Sequence, residues 1–210
     1  MITVSNLEVQ YGKRVLFKDI NLKFTPGNCY GVIGANGAGK STTFRMLCGL
    51  SRPTEGECFV AGMTLLTAGG AARAKLGYMA QKFSLYGELT VQQNMRLMAD
   101  LYGLERGRVK PRIEQLVEAL DLETFRDVRA FNLPLGQKQR LAIACAIFSG
   151  RRILILDEPT SGLDGQNMRL IAERLKSEAR NGRTILVITH DRELIESCCD
   201  NVVEVEKRSS

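Results

Sequence analysis

The segment from Gly34 to Ser41 has residue types and a spacing suited to binding phosphate. It reads Gly-Ala-Asn-Gly-Ala-Gly-Lys-Ser and matches G-x-x-x-x-G-K-[S/T] at every fixed position. Glycines let backbone N–H groups turn towards a phosphate, the lysine reaches the β- and γ-phosphates, and the Ser41 hydroxyl ligates Mg²⁺. The pattern predicts a phosphate-binding loop (P-loop) for a nucleoside triphosphate with magnesium.

Two adjacent carboxylates, Asp157 and Glu158, follow an apolar run over residues 153–156. An aspartate that ends a buried strand next to the P-loop strand can hold Mg²⁺ through water, and the following glutamate can take a proton from an attacking water. Paired acids after a strand are common in proteins, but together with a P-loop they predict hydrolysis of the nucleotide.

The elements that position these groups alternate between strand and helix. Strands are predicted at residues 2–10, 19–24, 28–33, 57–61 and 75–80, and helices at 41–50, 167–180 and 192–199. The runs 153–156 and 184–188 are continuously apolar, as in strands buried on both faces. This alternation predicts a parallel sheet with right-handed crossovers.

The middle of the chain has a helical pattern. Thr90 can cap one helix, Pro111 suits the start of a second, and a third is expected over residues 137–148. The sequence therefore predicts an all-helical subdomain inserted into an α/β core within a single domain. The predicted boundaries are residues 1–84 and 151–210 for the core and 85–150 for the helical subdomain.

The composition is that of an ordinary globular chain with a basic balance. Of its 210 residues 44% are hydrophobic, and the net charge is +6. No run approaches the roughly 20 apolar residues of a membrane-spanning helix, and the start resembles a strand rather than a signal peptide, so a cytoplasmic chain is expected. The basic stretch from Arg106 to Arg112 lacks interleaved aromatic residues, so a solvated loop is expected and nucleic acid is not.

The six cysteines show no paired metal-ligand spacing along the sequence. Buried, reduced thiols are expected rather than disulfides. The adjacent pair Cys198 and Cys199 is a candidate for redox sensitivity.

Besides the P-loop and the acidic pair, four further segments occur in the order typical of one family, and nearly the whole chain resembles the nucleotide-binding domain of ATP-binding-cassette (ABC) proteins. The resemblance implies a P-loop NTPase fold of the α/β class: an ABC ATPase core with an N-terminal antiparallel β subdomain and the helical insertion. It implies that Tyr11 stacks on adenine, Gln81 links the Mg²⁺ site to a membrane partner, and His190 contacts the γ-phosphate. The loop Ser161–Asp164 would cross a dimer interface.

The same resemblance assigns site residues. The ATP-binding set is Tyr11, Gly34, Ala35, Asn36, Gly37, Ala38, Gly39, Lys40, Ser41 and Thr42. The catalytic set is Glu158, His190, Gln81 and Lys40, and the Mg²⁺ ligands are Ser41, Gln81 and Asp157.

Residues 77–87 and 132–142 are similar to bacterial drug-efflux exporter ATPases, in particular the second cassette of the YbhF type. That similarity implies two cassettes joined to membrane-spanning permease subunits at the cytoplasmic face of the inner membrane. Phe83, Leu85 and Tyr86 would then line a groove that grips the permease, or else pack within the helical subdomain. The alternative function is a soluble ABC ATPase without a permease, for example of the iron–sulfur cluster assembly type.

One segment departs from the family pattern. The family's Leu-Ser-Gly-Gly-Gln signature, which acts across the dimer, is here Leu133, Pro134, Leu135, Gly136 and Gln137. Proline offers neither a hydroxyl nor an N–H, and leucine replaces a glycine where backbone approaches phosphate. Either the chain pairs with a cassette that has a full signature, or it forms a homodimer in which Gly136, Gln137 and the helix dipole suffice. Pro134 also suits a helix start.

Overall fold

The computed structural model describes residues 1–11, 14–34, 40–81 and 85–205, which form strands and helices in alternation. The strands are β1 (Ile2–Tyr11), β2 (Arg14–Phe24), β3 (Cys29–Gly34), β4 (Glu55–Val60), β5 (Met63–Thr64), β6 (Leu76–Met79), β7 (Ile153–Asp157), β8 (Thr184–Ile188) and β9 (Asn201–Val205). The helices are α1 (Lys40–Leu47), α2 (Gly69–Arg73), α3 (Val91–Tyr102), α4 (Arg106–Ala119), α5 (Leu135–Phe148), α6 (Gly165–Arg180) and α7 (Arg192–Cys198).

The strands form two sheets. One is antiparallel, in the order β2-β1-β4-β5, and the other is parallel, in the order β6-β7-β8-β3-β9. The predicted α/β fold is confirmed, but the expectation that the strand of Asp157 lies next to the P-loop strand is wrong. β8 hydrogen-bonds to both β7 and β3 and separates them. Order along the chain does not fix order across a sheet, so the sequence could not decide this.

The central strands of the parallel sheet, β7 and β8, are buried on both faces. Along β7, Leu154 and Leu156 belong to one apolar cluster, with α3 to α7, and Ile153 and Ile155 belong to a second, with α1 and the antiparallel sheet. Because side chains alternate across a strand, each residue of the run meets one of two cores, and this requires the continuous apolar pattern seen in the sequence.

The helical segment confirms one predicted boundary and corrects another. Thr90 caps α3 in a capping box with Gln93, as expected. Pro111, however, lies inside α4, which begins five residues earlier at Arg106. The stretch from Arg106 to Arg112 is therefore helix, not the predicted loop, because a proline near a helix start removes only one backbone donor and does not mark the boundary itself.

Helices α3, α4 and α5 share one apolar cluster with β7, β8, α6 and α7. The helical segment is thus packed on the sheet without a core of its own, and its predicted role as a separate subdomain stays a prediction. Among the described residues, no helix combines the length and apolarity needed to cross a bilayer.

Candidate functional site

The P-loop lies between the end of β3 at Gly34 and the start of α1 at Lys40. Residues 35–39 and the side chains of Tyr11 and Ser41 lie outside what the structure describes, so their predicted contacts with ATP stay predictions. Lys40 is 9% exposed, and its Nζ donates to the Gly34 carbonyl over 2.6 Å. The lysine therefore connects the two ends of the loop.

Gly34 is required by a close backbone approach. A Cβ at this position would lie 2.3 Å from the carbonyl oxygen of Val205 in β9. Any larger residue would push β9 away from β3, so the glycine that begins the P-loop also allows the edge strand to pair beside it.

Asp157, the last residue of β7, is 5% exposed. Burial raises the pKa of Cys48, which follows α1, to about 12, and the Asp157 charge adds to this rise. Burial also raises the pKa of Tyr78 in β6, and the Asp157 charge again contributes. The carboxylate therefore lies near the helix that follows the P-loop. A buried, hard oxygen donor at this place fits a Mg²⁺ ion that is bound through water.

Glu158 has a left-handed backbone conformation with φ of +51°. Such a conformation in a residue with a side chain costs about 1–3 kcal/mol and persists only where its surroundings impose it. Here the Glu158 N–H donates to the carbonyl of Ile188 over 2.8 Å, which joins the ends of β7 and β8. The sharp turn directs the carboxylate towards the segment that follows β8.

The two residues that follow β8, Thr189 and His190, hold the Glu158 carboxylate. The Thr189 hydroxyl donates to Oε2 over 3.2 Å, and Nδ1 of His190 lies 2.9 Å from Oε1. The same hydroxyl accepts from the Asp191 N–H over 3.0 Å, so its own proton is available for Glu158. The sequence analysis missed Thr189, although its position between a buried strand and the predicted histidine marks it as a polar group at the same sheet edge.

The ion pair between His190 and Glu158 shifts the titration of the imidazole. The hydrogen bond that the imidazole donates to the Glu158 carboxylate is the largest cause that raises the pKa of His190, followed by the Glu158 charge, while burial and Lys40 oppose it. The His190 side chain is 71% exposed and Glu158 only 12%, so solvent weakens the interaction at the histidine end. The structure brings Glu158 and His190 together, and their catalytic roles stay predictions.

The signature segment is positioned by packing within the chain. Leu133 is buried and Leu135 is 46% exposed. α5 begins at Leu135, two residues before its predicted start, so Pro134 is the N-cap residue and lies just before the first turn rather than in it. A Cβ on Gly136 would lie 2.9 Å from Oδ1 of Asn167. Asn167 is fixed by two amide contacts to the Asp164 carboxylate, both 2.9 Å, so this glycine serves helix packing as well as any role towards phosphate.

Helix α5 lies beside the loop before α6. Gln139 is 3% exposed, and its Nε2 donates to the Ser161 carbonyl over 3.4 Å. The Cδ2 atom of Leu135 lies 3.0 Å from the place a Cβ on Gly162 would take. The signature and the predicted dimer loop are therefore neighbours in one chain, and Gln139 is a residue that the sequence analysis missed.

The segment after β6 contains Gln81, which is exposed, and residues 82–84, which lie outside the described part of the chain. Leu85 packs against the core, as one of the two interpretations predicted, whereas Tyr86 is 53% exposed. Asn94 of α3 is fully buried and organises this segment. Its side chain accepts from the Tyr86 N–H and contacts the carbonyls of Tyr86, Leu89 and Thr90 at 3.0–3.1 Å.

Comparison with known proteins agrees with this geometry. Residues 17–161 match the model of the family described as ABC transporter. The chain belongs to this family. Cassettes of the family are ATPases, so the predicted ATPase is confirmed at that level.

Curated relatives extend the comparison. The chain is 44% identical over 199 residues to the probable multidrug ABC transporter ATP-binding protein YbhF of Escherichia coli K12, covering 94% of the chain and 34% of YbhF. It is 35% identical over 206 residues to the Nod factor export ATP-binding protein I of Cupriavidus metallidurans, covering 98% and 68%. The chain thus spans about a third of YbhF's length.

Solved structures have the same fold. The ATP-binding subunit of an ABC transporter superposes with a TM-score of 0.89 at 29% identity, over 99% of this chain and 88% of that one. The cassette MJ0796, solved as a dimer in a post-hydrolysis state with ADP and phosphate, superposes with a TM-score of 0.84 at 26% identity, over 100% and 97%.

Proposed function

We propose that this chain is the ATP-hydrolysing cassette of an exporter and acts through a membrane-spanning permease. The observation that carries the proposal is the Glu158 carboxylate, which Thr189 and His190 hold at the carboxyl edge of the parallel sheet. Ligands bind at this edge in open α/β sheets. The names of the relatives, multidrug transport and Nod factor export, support export as the work that hydrolysis drives.

Each residue of the site would have its own role in ATP hydrolysis. Lys40 would exchange the Gly34 carbonyl for the phosphates of ATP, and Glu158 would take the proton of the attacking water. With Nδ1 directed at Glu158, His190 has Nε2 to offer to the γ-phosphate. Ser41, Asp157 and Gln81 would hold Mg²⁺, which neutralises developing charge on the phosphates.

The pairing of cassettes follows from the altered signature. Pro134 offers no N–H and Leu135 carries a bulky side chain, so this chain would present a weak signature to a partner. We therefore favour a pair with a second cassette that has a full signature; a homodimer is the alternative. Purified chain that hydrolyses ATP at roughly several per second, near common enzyme rates, would exclude the first arrangement.

A permease-docking surface is supported by two exposed aromatic residues. Tyr86 is 53% and Phe131 73% exposed. Their segments are joined, because the Phe131 N–H donates to the Gly87 carbonyl over 2.9 Å. Tyr86 lies close in sequence to the predicted coupling residue Gln81, and Phe131 lies close to the signature. A permease bound here would therefore lie next to both segments.

Co-purification tests the proposal. The chain is tagged in its native cell, membranes are solubilised gently, and bound proteins are identified with Mg-ATP present. We expect a multi-spanning membrane protein with the wild type and its loss with Tyr86→Asp and Phe131→Asp together, while ATP binding is kept. Leu66→Asp, also at an exposed apolar residue, is the matched control. Recovery of soluble partners alone would favour the cytosolic ATPase.

A further inference from the structure

Three cysteine sulfurs meet at the end of the parallel sheet away from the P-loop. Cys29 begins β3, Cys198 ends α7, and Cys199 directly precedes Asp200 and the start of β9. The Sγ atoms of Cys29 and Cys199 are 3.7 Å apart, those of Cys198 and Cys199 are 3.9 Å apart, and all three lie within 4.8 Å of one another. We propose that this trio, the Cys29 cluster, binds a single thiophilic metal ion of the zinc or monovalent copper class.

The sulfur separations fit a common metal. Two sulfurs that each lie about 2.3 Å from one metal are separated by about 3.8 Å at a tetrahedral angle and about 4.0 Å at a trigonal one. The two separations in the structure, 3.7 and 3.9 Å, match these values without movement of the backbone. A set of three thiols selects zinc or monovalent copper over the hard ions that oxygen ligands prefer.

The backbone around the Cys29 cluster is already fixed. The Cys29 N–H donates to Oδ2 of Asp200 over 2.7 Å, and the Asp200 N–H donates to the Cys29 carbonyl over 2.8 Å. The Cys199 N–H donates to the Ile195 carbonyl over 2.9 Å. Gly31 leaves the room that the third sulfur occupies, since a Cβ there would lie 3.2 Å from Sγ of Cys199.

Burial and access also suit a metal site. Cys29 and Cys198 are 0% and 2% exposed, in apolar surroundings that exclude water, while Cys199 is half-buried and gives a route for entry. No redox change is needed: each thiol releases its proton to solvent as its sulfur bonds the metal. The spacing of cysteines along the sequence could not predict this site, because Cys29 and Cys199 are 170 positions apart.

The experiment titrates reduced full-length chain with Cd²⁺ alone, in a non-thiol reductant, and follows the thiolate-to-cadmium charge-transfer absorption. We expect one ion per chain and a raised melting temperature. Cys199→Ser should lose more affinity than the about 10- to 100-fold caused by removing a ligand's supporting hydrogen bond. Displacement of Cd²⁺ by Zn²⁺ or by monovalent copper identifies the ion.

The matched control replaces the three other buried cysteines, Cys48, Cys58 and Cys145, with alanine and should keep the full signal. Circular dichroism checks that Cys199→Ser is folded. A signal that survives in Cys199→Ser but vanishes in the control, or the lack of a one-to-one signal in wild type, overturns the proposal. The proposal is also overturned if a thiol count shows a disulfide within the Cys29 cluster and the chain still binds no Cd²⁺ once that disulfide has been reduced.

Discussion

At the scale of single residues, the site depends on how Glu158 is held. Its backbone is in a left-handed conformation, its N–H is bonded to Ile188, and its carboxylate contacts Thr189 and His190. In the proposed reaction, a carboxylate held by these contacts before ATP binds would need less reorganisation for proton transfer.

His190 reports the state of Glu158, because it is the chain's one histidine. Glu158→Gln removes the charge that raises the pKa of His190, so we expect that pKa to fall below the wild-type value. Proton NMR titration of the imidazole measures it. Glu193→Gln, an exposed site on α7, should leave it in place.

The same shift gives stability a pH dependence. The folded pKa of His190 is raised, so the pair with Glu158 stabilises the fold fully below the unfolded value of about 6.5 and loses this effect as pH rises through the folded pKa. Unfolding of wild type and Glu158→Gln in urea at acidic and alkaline pH tests it: the difference between them should shrink as pH rises.

Thr189 is a positioning residue for Glu158. Thr189→Val keeps the shape but removes the hydroxyl, and we expect kcat for ATP to fall by about tenfold or more with KM little changed. Thr184→Val is the matched control, since Thr184 lies in the same strand region and its buried hydroxyl lacks a hydrogen-bond partner among the described residues. Equal losses in both variants would refute the assignment.

At the scale of elements, buried polar side chains fix how helices and loops meet. Glu178 of α6 is 3% exposed and pairs with Arg174 of the same helix and with Arg183, 2.9 Å away, at the start of the β8 segment. Asn94 likewise holds the segment at Tyr86, which follows the predicted coupling residue Gln81.

Loss of the Glu178 charge should destabilise the fold. Glu178→Gln leaves Arg174 and Arg183 facing each other at low exposure, and breaking a buried pair costs about 3–5 kcal/mol. Equilibrium unfolding in urea measures the change. Glu173→Gln, at an exposed position of α6, should shift the free energy of unfolding by less than about 0.5 kcal/mol.

At the scale of the whole molecule, the altered signature bears on how cassettes pair. The double variant Pro134→Ser, Leu135→Gly restores the family pattern, and we expect ATP hydrolysis by the purified chain to rise about tenfold or more. The single variant Leu135→Gly does not regain the hydroxyl, so its ATP hydrolysis should rise less. No increase in the double variant would favour the homodimer that needs no full signature.

The sequence by itself determined the fold class and predicted the residues of the site. The P-loop, the acidic pair and the continuously apolar strands are local patterns, and local patterns follow from backbone conformation and burial, which neighbouring residues control. The helix cap at Thr90 was predictable for the same reason. Pro111 was misread because one residue type is compatible with several positions near a helix start.

Only the tertiary structure decided which distant residues meet. It placed β8 between β7 and β3, brought Thr189 to Glu158, fitted Gly136 against Asn167, and gathered the Cys29 cluster across 170 residues. Each is a contact between segments far apart in the chain, and its free energy comes from packing and hydrogen bonds that exist only once the sheet is assembled. The spacing of residues along one sequence does not predict such contacts.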